Sequence, residues 1–167
     1  DIYLDAVGAN ASLLLNIPPD THGRIAAADC ASLAELGAKI RQIFADNVTE
    51  KAEITADSAI AQHPITQAVD GMANTYWQAA YGQESDTITL NFPKPQKVSC
   101  VVLGEHLPTG QRIESGEIWA DGSKASEFTV VGHKRICRFA PVEVQTLTIK
   151  ITASRTEPTL RLLEVYQ

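Results

Sequence analysis

The chain has 167 residues, of which 44% are hydrophobic and 20% are charged, and its formal net charge at pH 7 is -6. This composition is typical of a globular domain, and without clustered Lys and Arg we expect neither a nucleic-acid partner nor an anionic membrane surface. No stretch approaches the roughly 18 consecutive apolar residues of a transmembrane helix, so no membrane span is expected.

The three cysteines, Cys30, Cys100 and Cys137, are an odd number and lack metal-binding spacing. We interpret them as buried free thiols.

The chain begins at Asp1, and its only methionine is Met72, so residue 1 is not expected to be a translation start. We therefore expect that an upstream segment has been removed.

The front of the chain predicts a helix followed by a buried strand. Residues 1–7 place apolar side chains at helical spacing and end at Gly8, the residue type that commonly closes a helix. Residues 13–15, all leucine, form an apolar run that ends at Asn16 and a Pro-Pro-Asp turn. An apolar run without alternation is typical of a parallel strand buried on both faces, and such a strand needs parallel neighbours.

A second helix is predicted from Asp29, acting as its N-cap, to about Ala45. Its apolar face consists of Leu33, Leu36, Ile40, Ile43 and Phe44. One strand and two helices in about 50 residues cannot close a hydrophobic core of their own. We therefore predict that residues 1–52 belong to a larger body.

From Glu53 onward the pattern changes to short β-runs separated by turn residues. Residues 87–92 and 146–151 alternate strictly between apolar and polar side chains. Five further strands are predicted, at residues 98–103, 113–120, 128–131, 136–139 and 160–166. The Pro-Lys-Pro of residues 93–95 is predicted to be a turn. The pattern favours an antiparallel β-sandwich over residues 53–167, large enough to bury its own core.

The motif AVDGMANTYW is the most interesting chemically. Asp70 opens a tight loop that Thr75 closes, so a carboxylate, a hydroxyl and backbone carbonyls can converge on one point, as a calcium ion requires. In the alternative interpretation, Asp70 caps its own backbone and the adjacent Tyr76 and Trp77 fill the core. The spacing alone leaves both interpretations open.

This motif, followed by DTITLNF and the final LRLLEVYQ, resembles the discoidin or coagulation-factor type C domain. That domain has a galactose-binding-like jelly-roll fold, which family 32 carbohydrate-binding modules share. The resemblance implies a structural calcium ion held by Asp70, Thr75, Glu164 and a carbonyl near Met72. The ion would join the first loop to the last strand.

The front segment resembles a more specific family. LLLNIPPDTHGRI and ASLAELGAKIRQIF are similar to the last strand-and-helix unit of the catalytic barrel in glycoside hydrolase family 29, the α-L-fucosidases. VVLGEHLPTGQRI and GHKRI resemble the C-terminal domain of plant and bacterial members. The resemblance implies a mainly β chain, in which residues 53–167 form a discoidin-like sandwich. Residues 1–52 would be the last helix-strand-helix piece of a TIM-like barrel.

The resemblance also implies an activity for a longer protein. Family members are retaining hydrolases that release L-fucose from glycans with an aspartate nucleophile and a carboxylic acid/base, and they need no catalytic cofactor. Both carboxylates would lie upstream, so we assign no catalytic residue in this chain. Asn16, at the end of the predicted barrel strand, would face the substrate. The alternative for Asn16 is that its amide satisfies local backbone groups.

Partners and location follow from the same resemblance. We expect fucosylated glycans and the missing N-terminal barrel portion as partners, and a secreted, periplasmic or lysosome-like compartment. His106, Gln111 and Arg112 could touch a sugar or pair with Glu105 inside the sandwich. Two rival hypotheses are a non-catalytic carbohydrate-binding or adhesion module of discoidin type and a sandwich that only supports a barrel.

Overall fold

Eight β-strands and two α-helices form the part of the chain that the computed structural model describes, residues 2–167. The helices are α1 (Ile2–Val7) and α2 (Ala27–Ile43). The strands are β1 (Glu53–Ala56), β2 (Trp77–Gln78), β3 (Asp86–Gly104), β4 (Ile113–Ala120), β5 (Ser123–Phe128), β6 (Arg135–Ser154), β7 (Thr159–Leu160) and β8 (Leu162–Tyr166). Short 3-10 helices lie at Thr49–Lys51, Ile65–Ala68 and Leu107–Thr109.

The two longest strands, β3 and β6, run antiparallel and organise the main sheet. Their register shifts between Asn91 and Gln96 and again between Val98 and Cys100, and such irregularities bend a strand. β1 pairs with the first part of β3 and β8 with its last part, while β4 and β5 extend the sheet beyond β6. β2 and β7 form a separate antiparallel pair. The predicted mainly β, antiparallel architecture is confirmed, and the arrangement is consistent with a β-sandwich.

The alternation in β3 and β6 determines which side chains enter the main core. Ile88 and Leu90 of β3 and Ile149 of β6 are fully buried, whereas Thr87 and Thr89 between them are partly exposed. Burying one such apolar side chain contributes roughly 1.5–3 kcal/mol to folding. The other large, fully buried side chains include Trp77, Leu103, Ile113, Ile118, Leu147 and Leu160.

A second, smaller apolar cluster joins the helices to the end of the sheet where β8 pairs with β3. Leu4 of α1 packs there with Val102, Ile136 and Tyr166. Phe44, just after α2, contacts Tyr166 edge to face, with ring centroids 5.1 Å apart. The helices therefore cover the outer face of the β8 half of the sheet.

The outer face at the other end of the sheet is polar. Strand register places Thr55 beside Thr89, Thr89 beside Thr148, and Thr148 beside Trp119, in one row across four strands. All four side chains are at least partly exposed to solvent. This sheet face is called the open face below.

Residues 13–15, predicted as a buried parallel strand, form no strand within this chain. These residues adopt no regular structure, and the Leu14 and Leu15 side chains are 93% and 45% exposed. A parallel strand needs a neighbour for its backbone hydrogen bonds, and none of residues 2–167 pairs with this run. The preceding barrel piece expected from the resemblance is not formed by the described residues alone.

The predicted helices are confirmed with one correction. Ala26, not Asp29, occupies the N-cap of α2, and Asp29 lies in the first turn, where a carboxylate still interacts favourably with the helix dipole. α2 has no buried residue. Neither helix of residues 2–167 is long and apolar enough to cross a membrane.

Two sequence-based boundaries in the sheet are also wrong. Residues 93–95 continue β3, because the register shift after Asn91 leaves the prolines outside the regular ladder, where their missing N–H groups cost no hydrogen bond. β5 ends at Phe128, so residues 129–131 are not part of a strand. Each boundary depends on strand pairing, which local sequence does not encode.

The cysteine interpretation is confirmed at two of three positions. All three thiols are free, but Cys30 on α2 is exposed, while Cys100 and Cys137 are buried. Burial raises the pKa of Cys100 to about 11 and that of Cys137 to about 12, so both stay protonated and unreactive near neutral pH. Cys30 lies on α2, a helix in which no residue is buried.

Candidate functional site

The Asp70 loop is organised by its own aspartate. The Asp70 carboxylate accepts a hydrogen bond from the backbone N–H of Met72 at 2.8 Å and one from the Thr75 hydroxyl at 2.7 Å. Gly71 has a φ of 72°, a conformation that glycine adopts without strain. The local geometry is the aspartate-capped turn of the alternative interpretation, and it also places carboxylate, hydroxyl and carbonyl oxygens close together.

The loop shares a cavity with the last strand. Asp70 and Glu164 both line a cavity of about 220 Å³, together with Asn47, Thr49 and Glu50. Of the residues that the resemblance implied as calcium ligands, Asp70 of the loop and Glu164 of β8 line this cavity, whereas Thr75 and Met72 do not. Among residues 2–167, no group of three or more His, Cys, Asp or Glu side chains has metal-binding geometry.

Polar contacts hold residues that line this cavity. Glu164 accepts a hydrogen bond from the Tyr166 hydroxyl at 2.9 Å, and burial together with this carboxylate raises the Tyr166 pKa. The Thr49 hydroxyl accepts from the backbone N–H of Val165 at 2.8 Å and donates to the side-chain oxygen of Asn47 at 2.6 Å. These bonds attach the start of the sandwich to β8.

Glu105 is buried and binds backbone N–H groups. Its carboxylate, 0% exposed, accepts hydrogen bonds from the N–H groups of Arg112, Ile113 and Gly132 at 2.6, 2.9 and 2.6 Å. The Arg112 guanidinium instead donates to the carbonyl of Glu157 at 2.7 Å. Of the two alternatives left open for Arg112, the structure has a contact with Glu105, made by the Arg112 backbone N–H, and Glu105 joins two loops of the sandwich.

Tyr76 and Trp77 have different environments. Trp77 is fully buried and donates its indole N–H to the carbonyl of Ser58 at 3.0 Å, as expected of a core residue. Tyr76 is half-buried between His63 and His106, with ring centroids 3.8 and 3.9 Å apart. Burial and the positive field of nearby basic groups lower the His106 pKa. No sequence pattern predicted this stack, because the three residues are distant along the chain.

The front loop is attached to the sandwich by Asn10. Its side-chain oxygen accepts a hydrogen bond from the backbone N–H of His133 at 2.6 Å, and its backbone φ is 64°. The Gly8 carbonyl accepts from the N–H of Ile136 at 2.9 Å. Asn16, the predicted substrate-facing residue, is exposed. No sequence pattern predicted this role of Asn10, because its partners lie in the second half of the chain.

The chain is similar to known α-L-fucosidases. The chain is 29% identical over 178 residues to alpha-L-fucosidase 1 of Arabidopsis thaliana, and the match covers 99% of this chain and 35% of that protein. The crystal structure of a GH29 fucosidase from Ruminococcus gnavus in complex with fucose matches 99% of this chain and 35% of its own. That match has 26% identity and a TM-score of 0.90.

A chitosan-binding module from Paenibacillus shows the fold alone, with 22% identity, a TM-score of 0.64, and coverage of 73% of this chain and 99% of the module. The expected similarity to the C-terminal part of family 29 α-L-fucosidases is confirmed, and the chain spans about a third of the length of these relatives. Residues 47–161 match the family model described as Domain of unknown function (DUF7402), and the chain belongs to that family.

Proposed function

We propose that the chain is the C-terminal portion of an α-L-fucosidase, a retaining glycoside hydrolase that releases L-fucose from glycans. One observation carries this proposal. The fucosidase structure matches 99% of the chain, whereas the chitosan-binding module, which is derived from a chitosanase/glucanase, matches 73% of it. A carbohydrate-binding or adhesion module would not account for the remaining part. The activity implies the secreted, periplasmic or lysosome-like location expected of the family.

The front segment supports the proposal through its uncovered apolar surface. Leu14 and Leu15 are exposed next to Asn16, and α2 buries no residue. Large exposed apolar groups are a feature of interaction surfaces. In the longer protein, residues 13–15 would pair with neighbouring parallel strands and complete a TIM-like barrel. Asn16 would then lie at the carboxyl end of the last barrel strand, where such enzymes bind their substrates.

The role of this chain in the reaction is to hold and orient. The hydrolysis would use two carboxyl groups about 5 Å apart, a nucleophile and an acid/base, both contributed by the upstream barrel. Asn10 and Gly8 are hydrogen-bonded to His133 and Ile136, so the segment just before residues 13–15 is attached to the sandwich. No catalytic step is assigned to a residue of this chain.

A structural calcium ion is the second part of the proposal. Asp70, Thr75, Glu164 and the carbonyl near Met72 would hold it, and the donor set of hard oxygens fits the ion. Support comes from the common cavity of Asp70 and Glu164 and from the contact of the Thr75 hydroxyl with the Met72 carbonyl at 3.3 Å. The ion would supply positive charge between two carboxylates and connect the loop to β8.

The hydrolase proposal is tested with 4-nitrophenyl α-L-fucoside. The 167-residue chain alone should release no nitrophenol, and the longer protein that contains it should release nitrophenol continuously. Turnover by the chain alone would contradict the upstream placement of both carboxylates. An inactive longer protein that binds fucosylated glycans would favour the non-catalytic module.

A further inference from the structure

We propose that the stacked rings of His63, Tyr76 and His106 form an acid-sensitive contact between three loops of the sandwich. The stack is closed at neutral pH and opens when the histidines are protonated. His63 lies between β1 and the 3-10 helix Ile65–Ala68, Tyr76 follows the Asp70 loop, and His106 follows β3. The inference does not rest on the proposed hydrolase function.

The three rings are in close and nearly parallel contact. The centroid of the Tyr76 ring lies 3.8 Å from that of His63 and 3.9 Å from that of His106, and the interplanar angles are 21° and 9°. All three residues are half-buried. Aromatic pairs stabilise a fold beyond the area that they bury. The stack therefore stabilises a contact between segments that are distant in the chain.

Backbone hydrogen bonds connect both histidines to their surroundings. The His63 carbonyl accepts from the N–H of Gln78 in β2 at 3.1 Å. The His106 carbonyl accepts from the N–H of Thr109 at 3.2 Å and from the Thr109 hydroxyl at 2.9 Å. Opening of the stack would therefore loosen the segment before β2 and the turn after His106.

The His63 ring can take up a proton without losing its side-chain partner. Its Nδ1 lies 3.1 Å from Oε1 of Gln67, and the amide nitrogen of Gln67 donates to the Gln62 carbonyl. Because Oε1 of Gln67 accepts, we assign the proton of the neutral His63 ring to Nδ1. Acid then protonates Nε2, and the first ring of the stack becomes a cation.

His106 is the ring in which a proton is unfavourable. Within residues 2–167, its buried Nδ1 has no hydrogen-bond partner. An imidazolium carries a proton on both nitrogens, so protonation would place a buried donor without an acceptor at this atom. Burial, followed by the repulsion of nearby positive charges, lowers the pKa of His106. The closed stack therefore contains the neutral form of this ring.

The charged groups that act most on His106 are basic. Arg112 lies just before β4, Arg161 lies between β7 and β8, and His63 is at the other end of the stack. The carboxylate of the adjacent Glu105 accepts hydrogen bonds from buried backbone N–H groups instead. Protonation of both histidines would therefore place like charges on the two faces of one tyrosine, beside two guanidinium groups.

An imidazolium is also attracted to the face of a tyrosine ring, and this attraction opposes opening. It leaves Nδ1 of His106 without an acceptor and the guanidinium groups in place. The unpaired donor and the repulsion therefore decide the direction of the effect.

The direction of the pH effect follows from the lowered pKa of His106. In an opened, solvated loop this pKa returns to its ordinary value of 6.5, so the open form binds more protons than the closed form. The closed stack is fully stable above that value and is lost as the pH falls through the lower pKa of the closed form. The open fraction should rise by up to about tenfold for each pH unit between the two values.

The test is an NMR titration of the complete 167-residue chain from about pH 7.5 to about pH 5. The Tyr76 ring protons lie between two aromatic rings, so ring currents should shift them upfield at neutral pH. We expect this shift to disappear in acid, with a midpoint below about pH 6.5, and hydrogen exchange of the Gln78 amide to accelerate in parallel. The ring shifts of Tyr81, which is 76% exposed, and the amides of Thr89 and Thr148 on the open face should stay constant.

His106→Phe keeps an aromatic ring and removes the titrating group, so its Tyr76 ring should remain shifted upfield across the whole range. His22→Gln, at an exposed histidine of the front loop, is the matched control and should leave the transition unchanged. If His106→Phe does not fold, the ring proton shifts of His106 in the wild-type chain replace it. They should then titrate below about pH 6.5 together with the Tyr76 ring.

Constant Tyr76 shifts in the wild-type chain, or the same transition in His106→Phe, would overturn the acid-sensitive contact. A His106 ring that titrates at or above its ordinary value would also overturn it. Loss of the Thr89 and Thr148 signals together with the Tyr76 shift would do so as well, because the whole sandwich would then unfold. Fucoside hydrolysis enters none of these measurements, so failure of the hydrolase proposal is a separate result.

Discussion

The buried carboxylate of Glu105 accepts a hydrogen bond at 2.6 Å from the backbone N–H of Gly132, which lies 27 residues later in the chain. The Asn10 side chain packs against the same glycine, and its Oδ1 accepts a hydrogen bond from the backbone N–H of His133. Hydrogen bonds therefore connect the buried Glu105 carboxylate to the loop at Gly132, and the same loop to Asn10 of the front segment. These bonds fix the position of the front segment on the sandwich.

Replacing Glu105 should destabilise the chain strongly. Glu105→Ala leaves three buried N–H groups without an acceptor, and we expect the free energy of unfolding to fall by about 3 kcal/mol or more. Urea unfolding followed by circular dichroism measures it. Glu114→Ala, at an exposed carboxylate, should change stability by about 0.5 kcal/mol or less. Similar losses in both variants would contradict the role of Glu105.

Gly132 should tolerate alanine less well than Gly122. Both residues have positive φ, 58° and 81°, so alanine strains the backbone by about 1–2 kcal/mol at each. A Cβ at Gly132 would also overlap the Asn10 side chain, whereas one at Gly122 meets nothing within 4 Å. We expect a larger loss of thermal stability for Gly132→Ala, partly relieved when Asn10 is also replaced by Ala. Equal losses at the two glycines would show that Asn10 does not pack as described.

Leu14→Asp should separate this chain from the longer protein. Leu14 is 93% exposed here, so the substitution should change the stability of the isolated chain by about 0.5 kcal/mol or less. In the longer protein, a buried barrel strand would lose roughly 3 kcal/mol or more, with loss of fucoside hydrolysis. Leu107→Asp, at an exposed leucine outside the front segment, is the control. A longer protein insensitive to Leu14→Asp would argue against the barrel placement.

Calcium should raise the melting temperature of the chain. An ion bound at about 100 times its dissociation constant stabilises by about 2.7 kcal/mol, which corresponds to roughly 5–10 °C for a chain of this size. EDTA should reverse the shift, and Glu164→Gln should abolish most of it while Glu114→Gln leaves it intact. A melting temperature that does not respond to calcium or EDTA would refute the ion.

Stability should decrease in acid partly through Glu157. The backbone N–H of Gly82, followed by the Thr156 hydroxyl, lowers the pKa of Glu157 from 4.5 to about 2. A carboxyl with a lowered folded pKa stabilises the protein above its unfolded value, and this contribution is lost as the pH falls through the folded value. We expect the free energy of unfolding to fall between pH 4.5 and 2, and less steeply in Glu157→Gln, as urea titrations across this window would show. An unchanged slope in this variant would contradict the contribution of Glu157.

The sandwich was largely readable from local pattern. Strict alternation at residues 87–92 and 146–151 predicts which side chains of β3 and β6 are buried, because a half-solvated strand repeats every two residues. The turn at Asp70 could also be predicted from the sequence, because an aspartate followed by glycine forms a turn through contacts between neighbouring residues. Trp77, expected in the core, is fully buried.

Other features required the tertiary structure. The continuation of β3 through its prolines and the His63–Tyr76–His106 stack depend on strand register or on loops distant in sequence. Local patterns carry no information on such pairings. Residues 13–15 have the apolar run expected of a strand but form none, because an apolar run becomes a strand only beside a partner strand.

By itself, the sequence determined the alternation of the sandwich, the two helices and the similarity to fucosidases. Only the tertiary structure decided that Asp70 and Glu164 line one cavity, that Glu105 binds backbone N–H groups of two loops, and that Asn10 attaches the front segment to the sandwich. The physical reason is that side-chain period is local, whereas the meeting of polar groups depends on contacts between residues far apart in the chain.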